Sequence, residues 1–410
     1  MPGPTPGDKI AGKPKRATWR SADEATAHHP YGFRMTSSTS HHVLIAGGGV
    51  GGLEAMLALR ALAGDRVSMT LLTPDDAFVV RALSVEDPFA GPALRRYELA
   101  PICAEARAEL VRDELASVAP QDRTVITAAG DTIAYDDLIV AVGARQRPAF
   151  TGGIPFGGLE EAEAVHGLVQ DVEIGAVDSV AFVVPSGVTW PLPLYELALL
   201  TAERAYGMGV EVACSIVTPE ERPLGIFGLQ ASETVARLLR DAAIDVQTAV
   251  HVRDVDHGAV IGLDGAPVVR ARRVVTLPLH DGPAVPGLPA DPDGFLPVDD
   301  YGRVHDTPAV WAVGDGTTFP LKQGGIAAQQ AVAVAETIAA AAGAPVTPKP
   351  FRPQLRAKLI TGARPTYLRE IIVGGQGSDS SSASDEPLWW PPTKIAAEHL
   401  GAYLDRAGSA

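Results

Sequence analysis

The chain has 410 residues, 46% of them hydrophobic, which is enough for two or three domains with cores of their own and too apolar for a disordered polymer. A formal net charge of −15 argues against a nucleic-acid binder, whose phosphates demand a basic surface, and gives no sign of a polybasic membrane patch. No run of about 18 apolar residues is present to span a bilayer, and two distant cysteines, Cys103 and Cys214, with no Cys-x-x-Cys pair, argue against metal-cluster and dithiol chemistry and suit a reducing cytoplasm.

Residues 1–40 are rich in Gly, Pro, Ser, Thr and Lys/Arg and have no apolar period, so they read as a disordered leader, with Met35, just before the fold, a candidate for the true start. His28, His29, His41 and His42 are paired histidines at or near its surface rather than a metal set. The organising stretch follows. Val43–Ala46 is a short apolar run of the kind a buried parallel strand needs, and Leu53–Leu62 continues as an apolar helix. Between them Gly47, Gly49 and Gly52 fall in the Gly-x-Gly-x-x-Gly spacing, with Gly51 inside it. The first glycine permits the tight turn, the second lets a pyrophosphate approach the backbone, and the third lets helix and strand pack closely. The free N–H groups and positive dipole end of the helix hold the phosphates.

Val67–Leu72 is the second strand. A ribose-binding acid is expected at its end; the chain instead has Thr73, whose hydroxyl can bond a ribose without a charge, then Asp75 and Asp76, either substitutes or turn formers. Phe78–Phe89 surrounds one arginine, Arg81, with apolar residues, which suits a segment beside a flat ring and equally a core loop with a snorkelling cation. Glu105–Val118 reads as a helix, and Val125–Ala128 with Asp131–Ile133 as a hairpin. Tyr135–Ala144 is an acidic turn feeding a buried strand that stops at Gly143.

From about 178 to 280 the strand–helix alternation repeats: strands at 179–184, 210–217 and 244–250, helices at 194–205 and 231–243. The first turn of this repeat, Pro185–Pro193, has one glycine and three prolines, so it lacks the N–H donors and close approach a phosphate needs. Cys214 falls in mid-strand as a small apolar residue. Val310–Gly316 is then a buried strand ending in Gly-Asp-Gly, which presents Asp315 at the carboxyl edge of a sheet, either to a ligand or to its own turn. Lys322, Gln323, Gly324 and Gly325 precede an Ala-rich helix at about 326–342, whose start, beside a lysine, suits stabilising a negative charge. Gln329 and Gln330 face either pocket or solvent. Residues 353–373 read as strands or a short α+β element, 374–384 as a low-complexity loop, and 393–404 as a last helix, preceded by Trp389 and Trp390 as a packing anchor.

Three of these segments together, Gly47–Gly52, YDDLIVAVGA at 135–144 and VWAVGDG at 310–316, resemble the FAD-dependent pyridine nucleotide-disulfide oxidoreductase superfamily over about residues 41–345. LLTPDDAFVVRALSVEDPF, WPLPLYELA and the Lys322–Gly325 loop are similar to its branch of sulfide:quinone oxidoreductases, flavocytochrome c sulfide dehydrogenases and type II NADH dehydrogenases. The resemblance implies an α/β fold of two Rossmann-like, doubly wound dinucleotide-binding domains plus a small C-terminal α+β element. It assigns 41–150 with 290–345 to a discontinuous FAD domain, 151–289 to an NAD-binding-like domain with a degenerate phosphate loop, and 346–410 to the C-terminal element. FAD is the implied cofactor, with Gly47, Gly49, Gly51, Gly52, Thr73, Arg81, Gly143, Asp315, Lys322, Gln323 and Gly324 around it, and Asp315 on its ribityl chain. NAD(P)H is a weaker expectation. Trp190 stands where the sulfide enzymes carry a redox cysteine, so cysteine-based sulfide oxidation has no machinery. The expected role is transfer of electrons from a small donor through the flavin to a quinone-like acceptor, in the cytoplasm or peripheral to a membrane; a non-catalytic flavin-binding sensor is the alternative.

Overall fold

The computed structural model describes residues 41–90, 95–371 and 381–408; the leader and most of the low-complexity loop lie outside them. The chain begins with β1 (His41–Ala46), α1 (Val50–Ala63) and β2 (Val67–Leu72), then α2 (Leu99–Ala106), β3 (Ala108–Val111) and β4 (Asp137–Val140). It continues with β5 (Ser179–Val183), α3 (Leu192–Met208), β6 (Ala213–Val217), α4 (Gly228–Asp241), β7 (Asp245–Gln247) and β8 (Arg273–Thr276). Then come β9 (Val310–Ala312), α5 (Gly324–Ala341), β10 (Gln354–Leu359), β11 (Thr366–Ile371), β12 (Ser382–Ser384) and α6 (His399–Gly408).

Strands β1 to β9, with Ile154–Pro155, form two all-parallel sheets. The first has the order β9-β4-β1-β2-β3; the second runs from Ile154–Pro155 through β8, β5 and β6 to β7. Both are buried on both faces, as unbroken apolar strands require. In β1, Val43 and Ile45 enter one core and Leu44 and Ala46 another; in β5, Val180 and Phe182 divide in the same way from Ala181 and Val183. The acidic turn before β4 fastens the amino ends of the first sheet. Asp136 accepts the His42 N–H at 2.7 Å, and Asp137 takes His41 Nε2 at 2.6 Å and Trp311 Nε1 at 2.9 Å.

Three expected elements differ. Glu105–Val118 is not a helix. Helix α2 ends at Arg107, which turns left-handed (φ 51°), and the next four residues pair with β2, so tertiary pairing overrides local propensity. The final helix starts at His399 rather than Thr393 because Glu54, on α1, accepts the N–H groups of Glu398, His399 and Leu400 at 2.9, 3.0 and 2.6 Å and so fixes where it begins. Ser382–Ser384, read as loop, is the third strand of a small antiparallel sheet with β10 and β11. That sheet puts Leu355, Ala357, Leu359 and Leu368 into the core of the second sheet, while Leu400 and Leu404 of α6 enter the core of the first. The carboxyl-terminal element thereby braces both halves. Trp389 stacks edge-on with Tyr367 at 5.1 Å, as a packing anchor does, whereas Trp390 is 83% exposed and anchors nothing.

Candidate functional site at the carboxyl edge of the first sheet

The glycines of the first turn meet different surroundings. A methyl group on Gly47 (φ +115°) would stand 2.3 Å from the Ala141 carbonyl oxygen, and one on Gly52 would stand 1.9 Å from the Gly47 carbonyl oxygen. These two positions are closed by backbone. Gly51 packs on Val313, at the end of β9. Gly49, the residue that caps α1, has no atom within 4 Å of where a side chain would start. The space in front of α1 is therefore open, as a backbone that must receive a phosphate requires.

A second helix start lies beside the first. Gly324, the first residue of α5, is 3.6 Å from Val50 of α1 when measured from an added Cβ. Gln323 caps α5: its Oε1 accepts the Ile326 N–H at 2.8 Å, while its Nε2 donates to the Arg356 carbonyl at 3.1 Å. Its side chain is thus occupied within the protein. Gln329 and Gln330 both turn inward; the first ties α5 to β10 through Gln354, and Gln330 Oε1 accepts the Gly314 N–H at 2.7 Å, holding the Gly-Asp-Gly turn on the helix.

Asp315 lies in that turn, half-buried, and its carboxylate makes no hydrogen bond or ion pair among the described residues. Burial raises its pKa, and the charges of Lys322 and Arg81 oppose the rise. A carboxylate with nearby cations and no bonded partner is an acceptor without a donor. Lys322 donates to the carbonyls of Thr317 and Phe319 at 2.6 and 2.9 Å and sits 3.8 Å from the centre of the Phe295 ring. Burial lowers its pKa to about 8. His280, whose imidazole is held below its ordinary value by burial and then by the charge of Lys322, is a neighbour that sequence reasoning missed; nothing in its sequence context distinguishes it.

The remaining expected residues fall as follows. Thr73 is buried, with its Oγ1 beneath Gly48, 3.0 Å from an added Cβ, and 3.4 Å from the Asp75 N–H. Asp76 pairs with Arg112, and Asp75 is exposed. Arg81 is exposed, on a short 3-10 turn. Gly143 (φ +74°) lies against Gly316 through its carbonyl and faces open space with its α-carbon. The structure therefore brings Gly47–Gly52, Gly143, Asp315, Lys322 and the start of α5 together, with Arg81 in electrostatic reach, and turns Thr73 and Gln323 inward.

The second sheet offers a contrast at the same edge. Its first loop runs into α3 with Pro191 at the cap and Pro193 within the first turn. Thr189 Oγ1 donates to the Pro320 carbonyl at 2.6 Å, and Trp190 packs edge-on against Phe227 at 5.7 Å. After β6, Glu220 already accepts the Tyr195 hydroxyl at 2.6 Å and the Thr218 hydroxyl at 2.9 Å. A cavity of 330 Å³ lies here, lined by Thr189, Pro191, Glu220, Arg222 and Ile226 among others. Both cysteines are buried, and burial pushes the thiols of Cys103 and Cys214 up to about 11 and about 12, so neither is a thiolate at neutral pH. Among the described residues no group of histidines, cysteines and carboxylates could hold a metal, and no helix is long and apolar enough to cross a membrane.

Two doubly wound sheets, an open glycine turn and a free Gly-Asp-Gly carboxylate define an FAD-dependent oxidoreductase with two Rossmann-like halves. The chain belongs to the pyridine nucleotide-disulphide oxidoreductase family, whose pattern matches residues 41–337. It is similar to a NADH dehydrogenase-like protein of Mycobacterium tuberculosis, 28% identical over 67% of this chain and 72% of that one. It is also similar to the sulfide-quinone reductase of Aquifex aeolicus, 28% identical over 60% of each. Among solved structures, the sulfide:quinone oxidoreductase of Aquifex aeolicus superposes with a TM-score of 0.74 at 22% identity, covering 84% of this chain and 87% of that one. A ferredoxin reductase from Rhodopseudomonas palustris superposes at 0.62 and 19% identity, covering 81% and 82%.

Proposed function

We propose that FAD lies across the first sheet, its diphosphate at the Gly47–Gly52 turn, its ribityl hydroxyls on Asp315 and its pyrimidine edge toward the N–H groups of Gly324 and Gly325. In this reading residues 41–150 and 290–345 form the FAD domain, 151–289 a second domain without a nucleotide, and 346–410 the brace. The observation that carries it is the Asp315 carboxylate, unpartnered among the described residues, at the same sheet edge as the glycine turn that is open at Gly49. When bound, FAD takes up two electrons and passes them on.

The chain's own residues supply placement and charge. Burial raises the pKa of Asp315, and the charges of Lys322 and Arg81 oppose that rise, favouring the form that accepts hydrogen bonds. The start of α5 favours negative charge in front of it. Lys322, with its donors on two carbonyls, acts through its field rather than by contact.

Electrons reach this site from a small donor and leave to a quinone-like acceptor. The printed names of the relatives, a sulfide-quinone reductase and a NADH dehydrogenase-like protein, support an acceptor of that kind. The second half is a poor seat for NAD(P)H. Its loop has prolines where phosphate-binding N–H groups are needed, and Glu220 is already bonded. A cysteine persulfide route has no thiolate to begin from.

The test is anaerobic mixing of the yellow protein with NADH, NADPH and sulfide, followed by a short-chain quinone. Bleaching by a donor and recovery on quinone is the expected outcome. Trp190 in the cysteine's place and the proline loop favour one rival, a flavin-bearing protein without turnover; failure of every donor to bleach the flavin would establish the rival instead. Absence of any flavin, bound or bindable, would end both.

A further inference from the structure

Between Glu336 and Glu370 the chain has no carboxylate side chain and six cations: Lys349, Arg352, Arg356, Lys358, Arg364 and Arg369. In a protein of net charge −15 this is a local reversal of sign. The small sheet sorts these residues. Leu355, Ala357, Leu359 and Leu368 point into the core, so Arg356, Lys358 and Arg369 share the opposite face.

Arg356 and Arg369 are register partners across the β10–β11 ladder. Like charges directly opposite each other repel, with side-chain roots about 5 Å apart. The electrostatics agree: Arg369 lowers the pKa of Arg356, after burial, and Glu398 opposes this. Among the described residues neither arginine forms an ion pair with a carboxylate. The Nε–H of each is buried with no hydrogen-bond partner, and the one side-chain bond of the pair runs from Arg356 to Gln354 Oε1. A buried donor without an acceptor is destabilising, so two of them on adjacent like charges call for an acceptor.

Arg356 also lines a cavity of 250 Å³, together with Lys349 and Arg352. Three carboxylates line it as well. Glu54 is taken by three backbone N–H groups, and Glu336 accepts the Lys349 N–H at 2.9 Å. Glu398 is exposed and is the carboxylate that acts on Arg356.

We propose that this face and cavity bind a phosphate group, held by Arg356 and Arg369 with Lys349 and Arg352 at the cavity wall. A guanidinium fork matches phosphate oxygens two at a time, and a dianion between two such forks supplies the missing acceptors and cancels the repulsion. The phosphate belongs either to a small soluble molecule or to a lipid headgroup, and the same chemistry serves both.

The experiment uses the flavin-loaded full chain, its Arg369→Gln variant, and a Lys349→Gln variant that leaves the strand ladder untouched. Thermal unfolding is followed with inorganic phosphate added against potassium chloride of equal ionic strength. In chloride alone, Arg369→Gln unfolds at the wild-type temperature or above it, because the repulsion is gone. Phosphate at ten times its Kd raises the folded-to-unfolded ratio of the wild type about elevenfold, and both variants lose most of that response. In a second arm the proteins are sedimented with phosphatidylcholine vesicles, with and without phosphatidylglycerol. Capture of the wild type only by the anionic vesicles, weakened in both variants, assigns the phosphate to a headgroup. Equal behaviour of wild type and both variants toward both probes, or no response to either, overturns the proposal. If Arg369→Gln does not fold, Lys349→Gln decides between the same outcomes.

Discussion

The two doubly wound halves repeat one plan and part company at one turn. In the first half, β1 ends in glycines whose neighbours leave room only where a ligand would enter: Gly47 and Gly52 are closed by backbone, and Gly49 is open. In the second, β5 leads to a loop of prolines that is hydrogen-bonded to the first half through Thr189 and Pro320. The acid that follows β6, Glu220, is capped by Tyr195 and Thr218, whereas Asp315 has no bonded partner among the described residues. The lesson is that a parallel sheet does not by itself make a nucleotide site. The site depends on whether the donors and acceptors at its carboxyl edge remain unbound by the protein.

Breaking the first half at its tightest point has the largest effect. Gly52→Ala sets a methyl group 1.9 Å from the Gly47 carbonyl oxygen, so the strand and helix must separate. The expected outcome is loss of both bound FAD and several degrees of melting temperature, checked by absorbance and calorimetry. Gly49→Ala sharpens the comparison further. Beyond its chain neighbours the added methyl meets no described atom within 4 Å, so the apoprotein should melt as the wild type does, while FAD titration should show affinity reduced more than tenfold. A fall in apoprotein stability would mean that the open space is not a phosphate seat.

Asp315→Ala removes the free acceptor. Hydrogen bonds to a charged group contribute about 1.5–3 kcal/mol, so FAD should bind about ten- to a hundredfold more weakly, with kcat less affected than retention of the flavin on a desalting column. In the second half, Tyr195→Phe uncaps Glu220. It should lower stability by about 1–3 kcal/mol in urea unfolding and leave NADH binding undetectable by calorimetry. Tight NADH binding by this variant would show that the blocked acceptor alone, and not the proline loop, separates the halves.

The smallest effect is a pH dependence. The folded pKa of Lys322, about 8, lies below its unfolded value, so between these values the unfolded chain binds more protons and stability rises with pH. The burden of the buried charge is fully present below pH 8 and is relieved as pH climbs above it. The stability difference between wild type and Lys322→Met, measured in the apoprotein by urea unfolding, should therefore change between pH 8 and about 10 and be flat from pH 6 to 7.

Much of the fold was legible because its signals are local. Strands β1, β2 and β5, the glycine turn and the Gly-Asp-Gly turn each lie within a few residues, and their apolar runs have one consistent reading. What was not legible involves partners far apart. Glu54 looks like an ordinary surface acid on an apolar helix, until residues 398–400 bring their N–H groups to it. Glu196 and Lys394 form a buried ion pair 198 positions apart, each shifted toward neutrality by burial and held back by the other. No spacing rule could have linked them. The inward turn of Gln323 and Thr73 is of the same kind, because their partners, β10 and the loop over β2, are set by packing. The proline loop, by contrast, was readable at once, since proline's missing N–H is a property of the residue itself.

The clasp between Glu54 and the start of α6 has a consequence for biogenesis. The glycine helix is synthesised before the backbone that fastens it, which lies 344 positions further along the chain. A chain that lacks residues 398–400 leaves the Glu54 carboxylate without its three backbone donors.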